Sequence, residues 1–236
     1  MNEKDFHIFF NLSSTKLSIA VFKKFDDSLI FFKEYNCQTD INKSELNFDN
    51  IERIIKKSIF EIEKITNSFL NDLYLMIETT KSISIDLSLA KNNDLKKIQR
   101  KDVQYLIQDA KQQILRAHYD KDIAHIIVSN YIINNIKYDY LPINVNCEKF
   151  SIDIKFICFS KNLIKKLEKL FNNNQIYINK IICSNYAKSI DKNQSNTNIC
   201  EFGLKLIHGI NKQEVVIIPR KLEKKGFFER LFHLFK

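Results

Sequence analysis

Glycine is nearly missing from this chain: Gly203, Gly209 and Gly226 are the three it has in 236 residues. A loop that cradles phosphate needs glycine where backbone N–H groups press against the oxygens, so neither a dinucleotide fingerprint nor a P-loop can be built. Uninterrupted apolar runs of eighteen or more residues are also missing, and no spanning helix is expected. The start, "MNEKDFHIFF", lacks a basic leader and a small-residue cleavage site, so the expectation is a cytoplasmic protein rather than an exported one. The five cysteines (Cys37, Cys147, Cys158, Cys183, Cys200) form no C-x-x-C pair, which leaves reduced core thiols as the expectation. The five histidines show no H-E-x-x-H and no pair at helical spacing, and no metal site or cofactor is expected. Arginine is scarce too: Arg53, Arg100, Arg116, Arg220 and Arg230 are all there are, so the net charge of +9 is nearly all lysine. With abundant Asn and Ile, that bias reads as the codon preference of an AT-rich genome. No nucleic-acid partner is expected from it.

What is present is enough apolar content, 44%, for one sizeable core or two modest ones. "FHIFF", "KLSIAVFKK" and "SLIFFKEYNC", separated by polar turns, read as a three-stranded meander. "NFDNIERIIKKSIFEIEKITNSFL" puts Ile51, Ile54, Ile55, Ile59, Ile62, Ile65 and Phe69 at helical spacing. "DLYLMIE" and "SISIDLSLA" read as two more strands of the same sheet, and the polar stretch after Lys91 marks a boundary. Helix "RKDVQYLIQDAKQQILRA", strands "AHIIVSNYIIN" and "FSIDIKFICFS", helix "KNLIKKLEKLFNN" and strand "QIYINKIICS" then alternate as a compact α+β unit. "DKNQSNTN" is a polar linker by composition, and "QEVVIIPR" reads as a strand.

The last stretch, "KKGFFERLFHLFK", is the greasiest of the chain. On a wheel of about 100 degrees per residue, Leu231, Phe232 and Phe235 fall within about 60 degrees of Phe228, with Phe227 and Leu234 flanking them. Glu229, Arg230, His233 and Lys236 take the other half. From residue 220 to 236 there are six cations (Arg220, Lys221, Lys224, Lys225, Arg230, Lys236) and two anions, a net +4. An apolar arc beside clustered cations is the combination that lies flat in the interface of an anionic bilayer, and ten or so residues reach only ~15 Å, too short to cross it. Lys224, Lys225, Phe227, Phe228, Arg230, Leu231, Phe232, Leu234, Phe235 and Lys236 are therefore the candidate membrane-binding residues; the alternatives are a terminal helix docked on the protein's own core or in a partner's groove.

Three stretches together resemble the bacterial cell-division protein FtsA, of the actin and Hsp70-like superfamily. "FNLSSTKLSIAV" resembles its first phosphate hairpin, D-[IL]-G-[TS]-S-K. Asn11 stands where the family has Asp and Ser13 where it has Gly; Ser14 follows, and Lys16 matches. Asp102 to Ile190 resembles the inserted subdomain of that family, with His125, Tyr131, Pro142, Asn162, Lys165, Ser184 and Ala187 matching, and with Ser129 and Asn130 in a stretch where the family more often has Pro. "EFGLKLIHG" resembles its last helix and "GFFERLFHLFK" its membrane-targeting helix.

The resemblance implies an α/β (α+β) fold: a partial actin-like (ribonuclease H-like) subdomain over 1–93, an inserted FtsA-type subdomain over 94–190, a linker and return over 191–219, and a basic amphipathic helix over 220–236. It implies anionic lipids and division proteins as partners, with FtsZ, like protomers and homo-oligomers among the options. The second lobe of the family, which would carry its second phosphate loop and FtsZ-docking surface, is replaced by the short span between Ile190 and Ile199. With Asn11 and Ser13 in the hairpin, Asn11, Ser13, Ser14 and Lys16 form a degenerate phosphate site, or simply a hairpin turn. The expectation is a non-catalytic, cofactor-free adaptor, peripheral on the inner face of the cell membrane. The alternatives are a PilM-like pilus-assembly adaptor and a residual actin-like ATP-binding protein.

Overall fold

The computed structural model describes residues 5–37, 48–79, 82–190 and 198–215. The linker and the amphipathic stretch of residues 220–236 lie outside the described residues. In chain order the elements are β1 (Phe6–Leu12), β2 (Lys16–Lys23), β3 (Leu29–Asn36), α1 (Phe48–Thr66), β4 (Asp72–Ile77), β5 (Ile83–Asn92) and α2 (Arg100–Ala117). They continue with β6 (Lys121–Ile133), β7 (Ile136–Tyr138), β8 (Lys149–Ser160), α3 (Lys161–Asn172), β9 (Tyr177–Cys183), α4 (Ser184–Ile190) and α5 (Ile199–Ile207). The fold is α+β, built on two sheets.

The first sheet has the order β3-β2-β1-β4-β9. β1, β2 and β3 form the expected antiparallel meander, and β4 and β9 follow as parallel strands beside β1. Six consecutive residues of β2, Leu17 to Phe22, are buried, the mark of a strand covered on both faces. Phe10, Leu12, Leu17, Ile19 and Val21 meet α1 and α3, whose Ile51, Ile55, Ile62, Ile164 and Leu167 close that side. Phe9, Ala20 and Phe22 point the other way, onto Cys200, Phe202, Leu204 and Leu206 of α5. Strand alternation assigns these residues to opposite layers.

The second sheet, β5-β8-β6-β7, is antiparallel throughout. α2 covers one face, setting Val103, Leu106, Ala110 and Ile114 against Phe150, Ile152, Ile154 and Phe156. All five cysteines are free and buried, as their spacing led one to expect. Burial pushes the Cys37 and Cys158 thiols up to about 11, so they act as small apolar groups.

Three placements differ from the sequence reading. β5, expected beside β4, pairs along its whole length with β8 of the second sheet. Its strict alternation, with Ser84, Asp86 and Ser88 exposed, suits an edge with one covered face, whereas β4 is apolar on both. β9, expected in the second unit, returns to the first sheet as its parallel edge strand. Phe69 is off the α1 face and 82% exposed, because the helix stops at Thr66 and Asn67 takes φ 50. Leu70 fills the core instead, its N–H donating to Glu63 Oε1 at 2.9 Å.

Gly203 shows what glycine is kept for here. A Cβ on it would sit 2.6 Å from Met76 Sδ and 3.0 Å from Phe9 Cε1, so α5 packs against the sheet at a distance that admits no side chain. Gly203→Ala is expected to cost about 1–3 kcal/mol through overpacking of two fully buried neighbours. Chemical denaturation checks it, as a lowered midpoint at unchanged slope.

Candidate functional site

The β1–β2 turn holds the degenerate phosphate hairpin, and the side chains of Asn11, Ser13 and Lys16 each have an internal partner. Ser13 closes the turn: its N–H donates to Lys16 O at 2.8 Å, and its hydroxyl accepts from Lys16 N at 2.9 Å. The Lys16 ammonium reaches across to Glu34 Oε2 on β3 at 3.1 Å, and the Ser18 hydroxyl donates to the other Glu34 oxygen at 3.0 Å. Asn11 is buried, and its Oδ1 accepts a 2.6 Å hydrogen bond from Ser184 Oγ at the start of α4. The structure thus brings Asn11 together with Ser184, and pairs Lys16 with Glu34 instead. Ser14 is an exposed turn residue. This is the geometry of a hairpin that organises the sheet. The ten candidate membrane-binding residues, from Lys224 to Lys236, lie outside the described residues.

A second polar cluster sits where the two sheets meet. A register shift between Ile123 and His125 places the His125 ring, with none of its side chain exposed, over β9 and α4. Its Nε2 accepts the N–H of Cys183 at 2.9 Å, so that nitrogen keeps its lone pair. Nδ1 therefore carries the proton and donates to Glu214 Oε1, also at 2.9 Å. Burial holds His125 below the usual imidazole range, while the Glu214 carboxylate pulls the other way without prevailing.

Glu214 gathers the rest. The Lys180 ammonium donates to Oε1 at 3.0 Å, and the Tyr186 hydroxyl donates to Oε2 at 3.1 Å. Asn211 Nδ2 donates in turn to Tyr186 Oη at 2.7 Å, and the Tyr186 ring lies 4.6 Å from the His125 ring, tilted across it. Burial alone would push the Glu214 carboxyl up, but the hydrogen bond from His125 and the charge of Lys180 hold it down to about 2. Main chain completes the clamp: Val128 N–H donates to Gln213 O at 2.9 Å and Val215 N–H to Ile126 O at 2.8 Å. Residues 213–215 thereby run along β6 as an added edge.

The sequence matched His125, Ser184 and Ala187 to a family pattern but did not join His125 to Glu214, which lies 89 positions away. No local periodicity marks such a pair. The cluster fixes β6, β9, α4 and the chain after α5 in one arrangement.

No protein-family model matches the sequence, and no curated protein matches it. Solved structures do show likeness. One is the cytoplasmic domain of EpsL, an inner-membrane component of the type II secretion system of Vibrio cholerae, at 7% identity and a TM-score of 0.40, covering 77% of this chain and 58% of that one. Another is a PilM–PilN type IV pilus biogenesis complex, at 4% identity and a TM-score of 0.46, with 77% and 48% covered. A third is a Bacteroides thetaiotaomicron protein described as having an actin-like ATPase fold and unknown function, at 13% identity and a TM-score of 0.32, with 78% and 54% covered. The chain spans about half the length of these solved chains. At such TM-scores the overlaps are partial and decide neither family nor function. No helix among the described residues is long and apolar enough to cross a membrane.

Proposed function

We propose that this protein is a non-catalytic adaptor that rests on the inner face of a cell membrane and holds partner proteins of an envelope assembly there. The observation that carries the proposal is the fixed position of residues 213–215, the last described part of the chain before the basic amphipathic stretch of the sequence. Glu214, locked by His125, Lys180 and Tyr186, stands six residues before Arg220, where the basic stretch opens. A segment that binds lipid through apolar area and clustered cations transmits hold to the body only if the chain before it is fixed, and residues 213–215 are held by the ion pair of the buried Glu214 carboxylate with Lys180 and by two ladder hydrogen bonds. The order of the first sheet, with the second sheet inserted in the chain between β4 and β9, supports the actin-like body and inserted subdomain that the FtsA resemblance implies.

The cell-division version of this role rests on the sequence motifs. A PilM-type role in pilus or secretion assembly shares the body plan and is the second reading; chains from such systems are among the partial likenesses. In either version the body binds rather than reacts. The bond of the Asn11 side chain to Ser184 and the pairing of Lys16 with Glu34 support that reading. Calorimetric titration with Mg-ATP is expected to show no heat of binding; micromolar affinity would overturn the non-catalytic reading. For the membrane role, a fluorescently tagged full chain is expected at the cell rim and one ending at Lys225 diffuse. A diffuse full chain contradicts the proposal.

A further inference from the structure

At the far end of the first sheet, three residues from distant parts of the chain meet. His7 comes from β1, Asp27 from the β2–β3 turn, and His208 caps the C-terminus of α5. One ring nitrogen from each histidine and one carboxylate oxygen of Asp27 lie within 4.8 Å of one another. We propose that these three side chains form a binding site for a divalent transition metal of the zinc class, which staples α5 to the open end of the sheet.

The geometry is close to what such an ion needs. Two ligands each about 2.0–2.1 Å from a tetrahedral zinc stand roughly 3.3 Å apart. His208 Nε2 and Asp27 Oδ1 are 3.1 Å apart already, so one pair needs almost no movement. A His7 nitrogen lies within 4.8 Å of both, and the His7 Nδ1 is buried with no hydrogen-bond partner among the described residues. An imidazole that has lost water at one nitrogen without a replacement gains from any acceptor of its lone pair. The His7 and His208 rings stand edge to face, with centroids 5.7 Å apart.

Asp27 is set up by its backbone. It takes φ 56, and its N–H donates to Lys23 O at 3.0 Å, fixing the turn that aims the carboxylate at α5. Two histidines and one carboxylate leave one position open around a four-coordinate ion. Asp27 and His208 also line a cleft of about 520 Å³ walled by Phe22, Leu29, Leu204 and Ile210. The site is independent of the lipid-binding role, since it lies on the α5 side of the first sheet and the clamp of Glu214 lies between the sheets.

Cobalt(II) titration of the chelator-treated full chain tests the site, with zinc competition as a second arm. Visible d–d bands of a low-symmetry N/O site are expected to saturate near one equivalent, to disappear on adding zinc, and to be accompanied by a higher melting temperature with zinc than without. His208→Ala and Asp27→Asn are expected to weaken binding by about tenfold or more, and both alter exposed side chains, so their circular dichroism is expected to match that of the unaltered chain. Asn tolerates the left-handed backbone that Asp27 occupies. His118→Ala is the control and is expected to bind as the unaltered chain does. No saturable binding, a sulfur-to-cobalt charge-transfer band, or unchanged affinity in both variants would overturn the proposal.

Discussion

His125→Ala is expected to lower the stability of this protein by about 3 kcal/mol. The change strips the Cys183 N–H of its acceptor and Glu214 of one donor, and opens a void beside the Tyr186 ring. Glu214 keeps Lys180 and Tyr186, which is why the loss stops short of what an isolated buried charge would cost. Equilibrium denaturation of the two chains reads the difference directly.

The same cluster sets the acid limb of the stability curve, in two separable windows. The His125 pKa is lower in the folded chain than the ordinary 6.5, so its contribution is complete above 6.5 and falls away as pH drops toward the folded value. Glu214, at about 2 when folded and 4.5 when free, contributes about 3 kcal/mol that is present above 4.5 and is lost as pH falls through 2. Both act in the same direction, making the fold acid-sensitive. His125→Ala flattens the curve just below pH 6.5, and Glu214→Gln flattens it between 4.5 and 2. Parallel curves for all three chains would remove the cluster from its assigned place.

Much of the fold was legible in the sequence because it is written in short-range periods. The alternation of β1 to β3 and the Ile51, Ile55, Ile62 stripe of α1 each depend on residues two to four positions apart. What failed was sheet membership. β5 follows β4 closely and has a strand's pattern, but its partner β8 lies beyond α2 and β6, and no local signal names it. Phe69 misled for the opposite reason: it kept the helical period past the point where Asn67 ends the helix. The site was less legible still. The sequence marked Asn11, Ser13, Ser14 and Lys16, which became a closed turn, while Glu214 sat unmarked inside a stretch read as strand. Glu214 and His125 meet because the chain after α5 runs back along β6, a tertiary event. The His7, Asp27 and His208 trio spans positions 7 to 208 and escaped any motif for the same reason.

The second large effect concerns the amphipathic stretch. Burying Phe232, at the centre of the apolar arc, contributes about 1.5–3 kcal/mol to interfacial binding, and a carboxylate in its place adds an opposing cost. Phe232→Asp is therefore expected to lower partitioning onto anionic vesicles by about a hundredfold or more. Salt is expected to weaken binding of the unaltered chain without abolishing it, because charge attraction is screened while apolar burial is not. Neither change should move the melting temperature if the stretch serves lipid rather than the core.

Co-sedimentation with vesicles containing anionic lipid, comparing the full chain with one ending at Lys225, puts the proposed role to its most direct test. The full chain is expected to pellet with the vesicles and the shortened one to stay in the supernatant with an unchanged melting temperature. Equal pelleting of the two, or a shortened chain that melts several degrees lower, would mean that the phenylalanines of residues 227–235 belong to the protein's own interior and that the membrane role is wrong.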